Sequence, residues 1–248
     1  MKLPTFLIAA VLTAGAGAAY AATLADIAVI DRTTGERLQT WRHGGRLYVA
    51  GRPGDRYAVE LKNRSGGRLL AVLSVDGVNA VTGETAAGNQ SGYVLDAWER
   101  AEIAGWRKSL SDVAAFYFTA LPDSYAARTG RPDNVGVIGI AVFREYRVPP
   151  RLFDFDSAAA LESESKASGA VSERRQAARA APAQKLGTGH GERIASSTRY
   201  TDFRRASERP AEVITIHYDS YANLVAQGVI PVPCRPRAFP GGFVPDPA

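Results

Sequence analysis

Short stretches in which apolar and polar residues alternate predict a chain built mainly of β-strands. Tyr57, Val59 and Leu61 alternate with polar residues, which is the period-two pattern of a strand with one buried face. Residues 69–75 are apolar on nearly both faces, as expected of a strand that is covered on both sides. A glycine-containing loop separates the two stretches, so we predict that residues 56–77 form the central hairpin of an antiparallel β-sandwich.

The same alternation recurs through the first part of the chain, with turn signals about every eight to twelve residues. The pattern indicates only short helices, near residues 122–128 and 220–227, and no long helix before residue 150. This argues against an α/β crossover fold. We therefore predict a mostly-β fold, an antiparallel β-sandwich of the jelly-roll or Ig-like kind with a few short helices. Further strands are predicted at residues 27–30, 37–41, 47–49, 79–82, 92–95, 101–106, 113–119 and 135–143.

Residues 1–21 have the pattern of a signal peptide. Lys2 supplies a positive charge, residues 3–16 are mostly apolar, and Ala19 and Ala21 frame a small-residue cleavage site. The apolar run is shorter than the roughly 20 residues that span a bilayer, and no later segment is long and apolar enough to do so. We expect an exported protein, periplasmic or secreted, with no transmembrane segment after signal removal.

Changes in composition divide the remaining chain into four parts. Residues 22–150 form the predicted sandwich, and residues 151–185 are a low-complexity stretch that predicts a long mobile linker. Residues 186–230 contain one clear strand, too little to bury a core alone, so we expect them to complete the sandwich or pack on it. Residues 231–248 are a proline-rich tail that holds the single cysteine, Cys234, which excludes an internal disulfide bond.

The charge of the chain bears on its partners. The formal net charge is +5, and between residues 174 and 209 nine basic residues stand against three acidic ones. An exported location argues against nucleic acid as a partner. The basic stretch predicts contact with an anionic surface polymer or an envelope protein, and a merely solvated basic face is the alternative.

The sequence GTGHGER at residues 187–193 is the most suggestive candidate site. We interpret it as a glycine loop that turns backbone amides toward an anion, while a histidine and an arginine add charge or proton transfer. It lacks the lysine of a P-loop, and a loop that merely docks the later segment on the sandwich is the alternative interpretation. The predicted ligand-binding residues are Gly187, Gly189, His190, Gly191 and Arg193.

Two other function classes remain open beside a non-catalytic binding module. The first is a hydrolase or metal-dependent enzyme that uses His190, His217 and Asp219, because the last two share one face of a predicted strand. No metal-binding motif or cysteine pair accompanies them, and we predict neither a metal nor another cofactor. The second is a structural assembly subunit that pairs with its partner through a strand edge.

Four short motifs resemble those of a group of exported proteobacterial β-sandwich proteins of unknown function. They are SVDGVN at residues 74–79, GWR at 105–107, NVGVIG at 134–139 and GTGHGER at 187–193. The resemblance covers most of the chain after the signal peptide and implies an exported sandwich. It implies no activity, ligand or catalytic residue.

Overall fold

Two β-sheets form the framework of residues 23–147 and 185–231, the part of the chain that the computed structural model describes. The predicted signal peptide, linker and proline-rich tail fall outside these residues, except for Lys185 and Pro231. Thirteen strands are present: β1 Ala25–Asp31, β2 Thr40–His43, β3 Arg46–Gly51, β4 Arg56–Asn63, β5 Leu69–Val75, β6 Val78–Asn79, β7 Tyr93–Leu95, β8 Arg100–Ile103, β9 Gly105–Arg107, β10 Asp112–Ala120, β11 Val137–Arg144, β12 Leu186–Ala195 and β13 Glu212–Ser220.

The first sheet has the strand order β1-β4-β10-β12, with β8 beside β4 and β9 beside β10. The second sheet has the order β2-β3-β13-β11-β5-β6, with β7 beside β5. All strand pairs are antiparallel except β3 and β13, which are parallel. The predicted mostly-β sandwich is confirmed, and the parallel pair makes its second sheet a mixed one.

The predicted central hairpin is wrong, because β4 and β5 lie in different sheets. Their apolar side chains, among them Leu61 and Leu73, face one core from opposite sides. The connection between them therefore crosses from sheet to sheet. The buried Asn63 holds this crossing, since its amide donates to the carbonyl oxygens of Gly67 and Asp96 at 2.7 Å each.

Residues 186–230 contribute one strand to each sheet. Strand β12 lies at the edge of the first sheet against β10, and β13 is inserted between β3 and β11 in the second. Between these strands, residues 196–211 form no regular strand. Backbone hydrogen bonds, among them those from Ser196 to Ser111 and from Ala211 to Val142, and an isolated bridge between Glu145 and Arg205 hold this segment to the sandwich.

The short helices begin and end at the residue types that the sequence supplies. Helix α1, Tyr125–Arg128, is capped by Ser124, whose hydroxyl accepts from the Ala127 amide at 3.2 Å. Helix α2, Tyr221–Ala226, is capped by Ser220 in the same way, and Gly228 follows it with a φ of 73°. Both helices are too short to stand alone and depend on packing against the sheets.

Gly105 offers a test of how closely β9 approaches β10. A Cβ atom at this position would overlap the backbone of Ala114, and two paired strands cannot separate without losing their hydrogen bonds. We expect Gly105→Ala to lower the free energy of unfolding by about 3 kcal/mol. Gly66→Ala is the control, because its Cβ would meet nothing within 4 Å. Equal stabilities of the two variants in urea denaturation would contradict the close approach.

Candidate functional site

The GTGHGER segment is part of strand β12 and not a loop, which corrects the prediction from its glycines. A Cβ atom on Gly189 would overlap the ring of Tyr117, the residue opposite it on β10. A Cβ atom on Gly187 would lie 2.6 Å from the Cβ of Ser124. Close packing therefore requires glycine at both positions.

Three of the four sequence motifs meet at the carboxylate of Asp76. Its Oδ1 accepts hydrogen bonds from the Tyr218 hydroxyl at 2.6 Å and from the Gly136 amide at 2.9 Å. Its Oδ2 accepts from the Thr188 amide at 2.8 Å. One side chain from the second sheet thus holds the β12 edge of the first sheet and the turn before β11.

Thr188 extends this arrangement into a buried polar cluster. Its hydroxyl lies 2.6 Å from the hydroxyl of Tyr57 and 2.6 Å from that of Tyr218. Burial raises the pKa of Asp76, although hydrogen bonds from Tyr218, Thr188 and Gly136 oppose the shift, and burial also raises the pKa values of both tyrosines. The four side chains are at most 2% exposed, so the cluster stabilises the sandwich and has no access to a substrate.

His190 lies two residues beyond Thr188 on the same side of β12, where the core opens to solvent. Its ring is 6.1 Å from that of Trp106 and nearly parallel to it, and 5.1 Å from that of Tyr125 in α1. Trp106 belongs to the GWR motif and is fully buried. Trp106 of the fourth motif therefore packs under the His190 ring on its buried side, and Tyr125 of α1 packs beside the same ring.

A β-bulge places Arg193 on the same side as His190. In the ladder between β10 and β12, Phe116 pairs with His190 but Ala114 pairs with Arg193, so two residues of β12 lie opposite one of β10. Ala114 also pairs with Trp106 on its other side. Directly paired residues share a face of a sheet, so Trp106, Ala114 and Arg193 form one row. Without the bulge, Arg193 would point away from His190.

The bulge also directs the nearby acid to the opposite face. Glu192 forms an ion pair with Arg56 at 2.8 Å, and Arg56 lies on the side of β4 opposite to the buried Tyr57. The surface that remains around His190 is cationic. We term it the basic mouth, and it consists of Lys108, Tyr125, Arg128, His190 and Arg193 over the ring of Trp106.

The charged side chains that act on His190 are all positive. Partial burial lowers the pKa of His190, and the positive charges of Lys108, Arg128 and Arg193 lower it further. None of these three cations forms an ion pair within the described residues. The Lys108 ammonium lies 5.7 Å from the centre of the Tyr125 ring. Hydrogen bonds from Ser111 and Ser109 lower the pKa of Asp112, and the charge of Arg193 lowers it further.

Trp106 adds a further unusual feature beneath the mouth. Its indole Nε1 is buried and has no hydrogen-bond partner within the described residues. Buried donors without a partner are uncommon in folded proteins, and each one requires an explanation such as a water molecule or a ligand group. The donor lies in the side chain that supports His190.

The three residues predicted for an enzyme do not form one site. His217 lies on the outer face of the second sheet beside Tyr48, with ring centres 5.4 Å apart, and partial burial lowers its pKa. Asp219 accepts from the Ser220 amide at 2.7 Å and from the Asn223 side chain at 2.8 Å, which fixes the start of α2. It also accepts from the Leu186 amide, and His190 lies about 13 Å farther along β12.

Within residues 23–147 and 185–231, no group of three His, Cys, Asp or Glu side chains could hold a metal ion. No helix in the same part of the chain is long and apolar enough to cross a bilayer.

Part of the β12 edge is closed to strand pairing. The Leu186 amide donates to Asp219 at 3.3 Å and the Thr188 amide to Asp76 at 2.8 Å, so carboxylates of the second sheet occupy two of its outward donors. Occupied edge donors protect a sheet against addition of another strand. For this half of β12, the arrangement does not favour assembly through the edge.

Sequence reasoning included His190 and Arg193 in the candidate site but missed Lys108, Tyr125 and Arg128. These residues come from the end of β9 and from α1, far from His190 along the chain. Only the pairing of β10 with both β9 and β12 brings them together. In comparisons with known proteins, no protein-family model, no curated protein and no solved structure matches this chain.

Proposed function

We propose that the chain is an exported, non-catalytic binding module that binds an anionic ligand in the basic mouth. The observation that carries the proposal is the convergence on His190 of three cations that form no ion pair within the described residues. Folding places them together although like charges repel, and an anion between them would relieve that repulsion. An exported location and an envelope partner come from the sequence and remain part of the proposal.

A polymer with repeated anionic groups is the class of ligand that fits best. The mouth lies at an open end of the core, and its cations are all exposed at the surface. A site of this kind can contact several groups of an extended chain without enclosing any of them. The half-buried ring of Tyr125 adds an apolar surface for the backbone of such a polymer.

The test is a binding measurement on a variant in which Lys108, Arg128 and Arg193 are all replaced by glutamine. Each exposed cation contributes about 0.7 kcal/mol to an anionic contact, so together they account for a roughly 30-fold loss of affinity. The probes are dextran sulfate, polygalacturonate and inorganic polyphosphate, measured by calorimetry. We expect binding by the wild-type chain to weaken as salt is raised.

The matched control replaces Arg42, Arg199 and Arg209 by glutamine. These arginines are also exposed and unpaired within the described residues, so the control has the same net charge as the test variant. We expect it to bind nearly as the wild type does. Equal losses in the two variants would mean that overall charge, and not the mouth, attracts the polymer and would overturn the proposal.

A further inference from the structure

Among the residues of the basic mouth, His190 is the only one that titrates near neutral pH. The charges around it make its protonation depend on whether an anion is bound in the mouth. It is held between Trp106 and Tyr125, and cations approach it from three elements: Lys108 after β9, Arg128 in α1 and Arg193 in β12. Among the acids of the neighbouring elements, Glu192 is paired with Arg56, and Asp112 is hydrogen-bonded to its own turn.

We infer that His190 takes up a proton when an anion enters the basic mouth, so that binding strengthens as the pH falls. The inference rests on the proposed function and deepens it by naming the group that regulates the site. It follows from geometry, because an anion placed among the cations must lie close to the imidazole ring. The positive charges that disfavour a charged histidine in the empty mouth are then offset.

Linkage fixes the sign and the pH range of the effect. Burial and the three cations lower the pKa of His190 in the free protein, so the ring is neutral at neutral pH. A bound anion raises that pKa, and between the two values each binding event takes up protons from solution. The affinity for the anion therefore increases as the pH falls through the pKa that His190 has in the complex. It becomes constant below the pKa that His190 has in the free protein.

The experiment measures binding of dextran sulfate, because sulfate esters do not titrate in the relevant range. Between about pH 7.5 and about pH 5.5 we expect the affinity of the wild-type chain to rise roughly three- to tenfold. Calorimetry in two buffers of different ionisation enthalpy is expected to show net proton uptake near neutral pH. In His190→Gln the pH dependence and the proton uptake are expected to disappear, and at about pH 5.5 the variant is expected to bind roughly three- to tenfold more weakly than the wild type.

The outcomes separate this inference from the proposed function. Binding that is independent of pH, or equally pH-dependent in His190→Gln, would overturn the proton linkage and leave the anion site intact. Absence of binding by the wild-type chain at every pH would overturn both. If the variant does not fold, the proton linkage is tested by NMR titration of the histidines in the wild-type chain with pH. The inference requires the midpoint pH of His190 to rise when polymer is added, while the midpoints of His43 and His217 stay unchanged.

Discussion

Replacing Asp76 by alanine is expected to lower the free energy of unfolding by about 4 kcal/mol or more, the largest effect of any single substitution considered for this chain. The change leaves the buried amides of Gly136 and Thr188 without an acceptor, and it removes the carboxylate to which the Tyr218 hydroxyl donates. Each such donor costs about 1–3 kcal/mol. Asp76 also has a φ of 53°, and alanine in this left-handed region adds about 1 kcal/mol.

Asp76→Asn is expected to be milder, at about 1–3 kcal/mol. Asparagine tolerates the positive φ, and its amide oxygen can still accept from Tyr218 and Gly136. Its NH₂ group then faces the Thr188 amide, so one donor stays unsatisfied. The measurement is urea denaturation, with Asp133→Asn as the exposed control, which is expected to change stability by less than about 0.5 kcal/mol.

The pH dependence of these variants gives a second readout. Burial raises the pKa of Asp76 in the folded state, so a carboxyl group with this shift favours folding most when it is protonated. Its contribution is present below the ordinary value and declines as the pH rises through the folded pKa. Asp76→Asn removes this decline. A stability difference from wild type that does not change with pH, or a loss below about 1 kcal/mol in Asp76→Ala, would contradict the role assigned to Asp76.

Trp106→Ala is expected to cost about 3–5 kcal/mol, the usual range for removing a buried aromatic side chain. Trp106 is 0% exposed and contacts Phe116 edge-on, with ring centres 4.7 Å apart. The rings of Tyr125 and His190 also rest against it, so the basic mouth is expected to lose its shape as well as its support. The loss of stability and the change in the basic mouth both result from the cavity that the missing indole ring leaves.

Two further tryptophan variants make the result specific. Trp98→Ala is the control, because Trp98 is 64% exposed and its removal leaves no cavity. Trp106→Phe retains most of the apolar contact and removes the indole N–H that has no partner, so we expect a cost of only about 1 kcal/mol. Equal stability of the Trp106→Ala and Trp98→Ala variants in urea would show that Trp106 does not support the core.

The fold class could be predicted because period-two alternation is a local property of a strand with one buried face. The choice of the sheet that a strand joins depends on contacts between residues that are far apart along the chain. The sequence of residues 56–77 predicts a hairpin, but two apolar strands joined by a short turn can either pair in one sheet or lie in two different sheets. The local pattern is the same in both cases. The structure separates β4 and β5 because each pairs with other strands: β4 with β1, β8 and β10, and β5 with β11, β7 and the adjacent β6.

The candidate site was predictable only in part, for a related reason. The glycines of residues 187–193 indicated a loop because local rules associate glycine with turns. Gly189 is instead required by the Tyr117 ring, which only the β10–β12 pairing brings close, and Gly187 by the side chain of Ser124. His190 and Arg193 were identified by residue type, but nothing in the sequence shows that a bulge places both on one face, or that Lys108 and Arg128 join them.

The most direct measurement of the central claim is an NMR titration of isotope-labelled protein with a short sulfated oligosaccharide. If the basic mouth is the binding site, chemical-shift changes will concentrate at Lys108, Tyr125, Arg128, His190 and Arg193, and the side-chain N–H of Trp106 will shift with them. If the changes appear instead along residues 196–211, or spread over all exposed arginines, the mouth is not the site and the account is wrong.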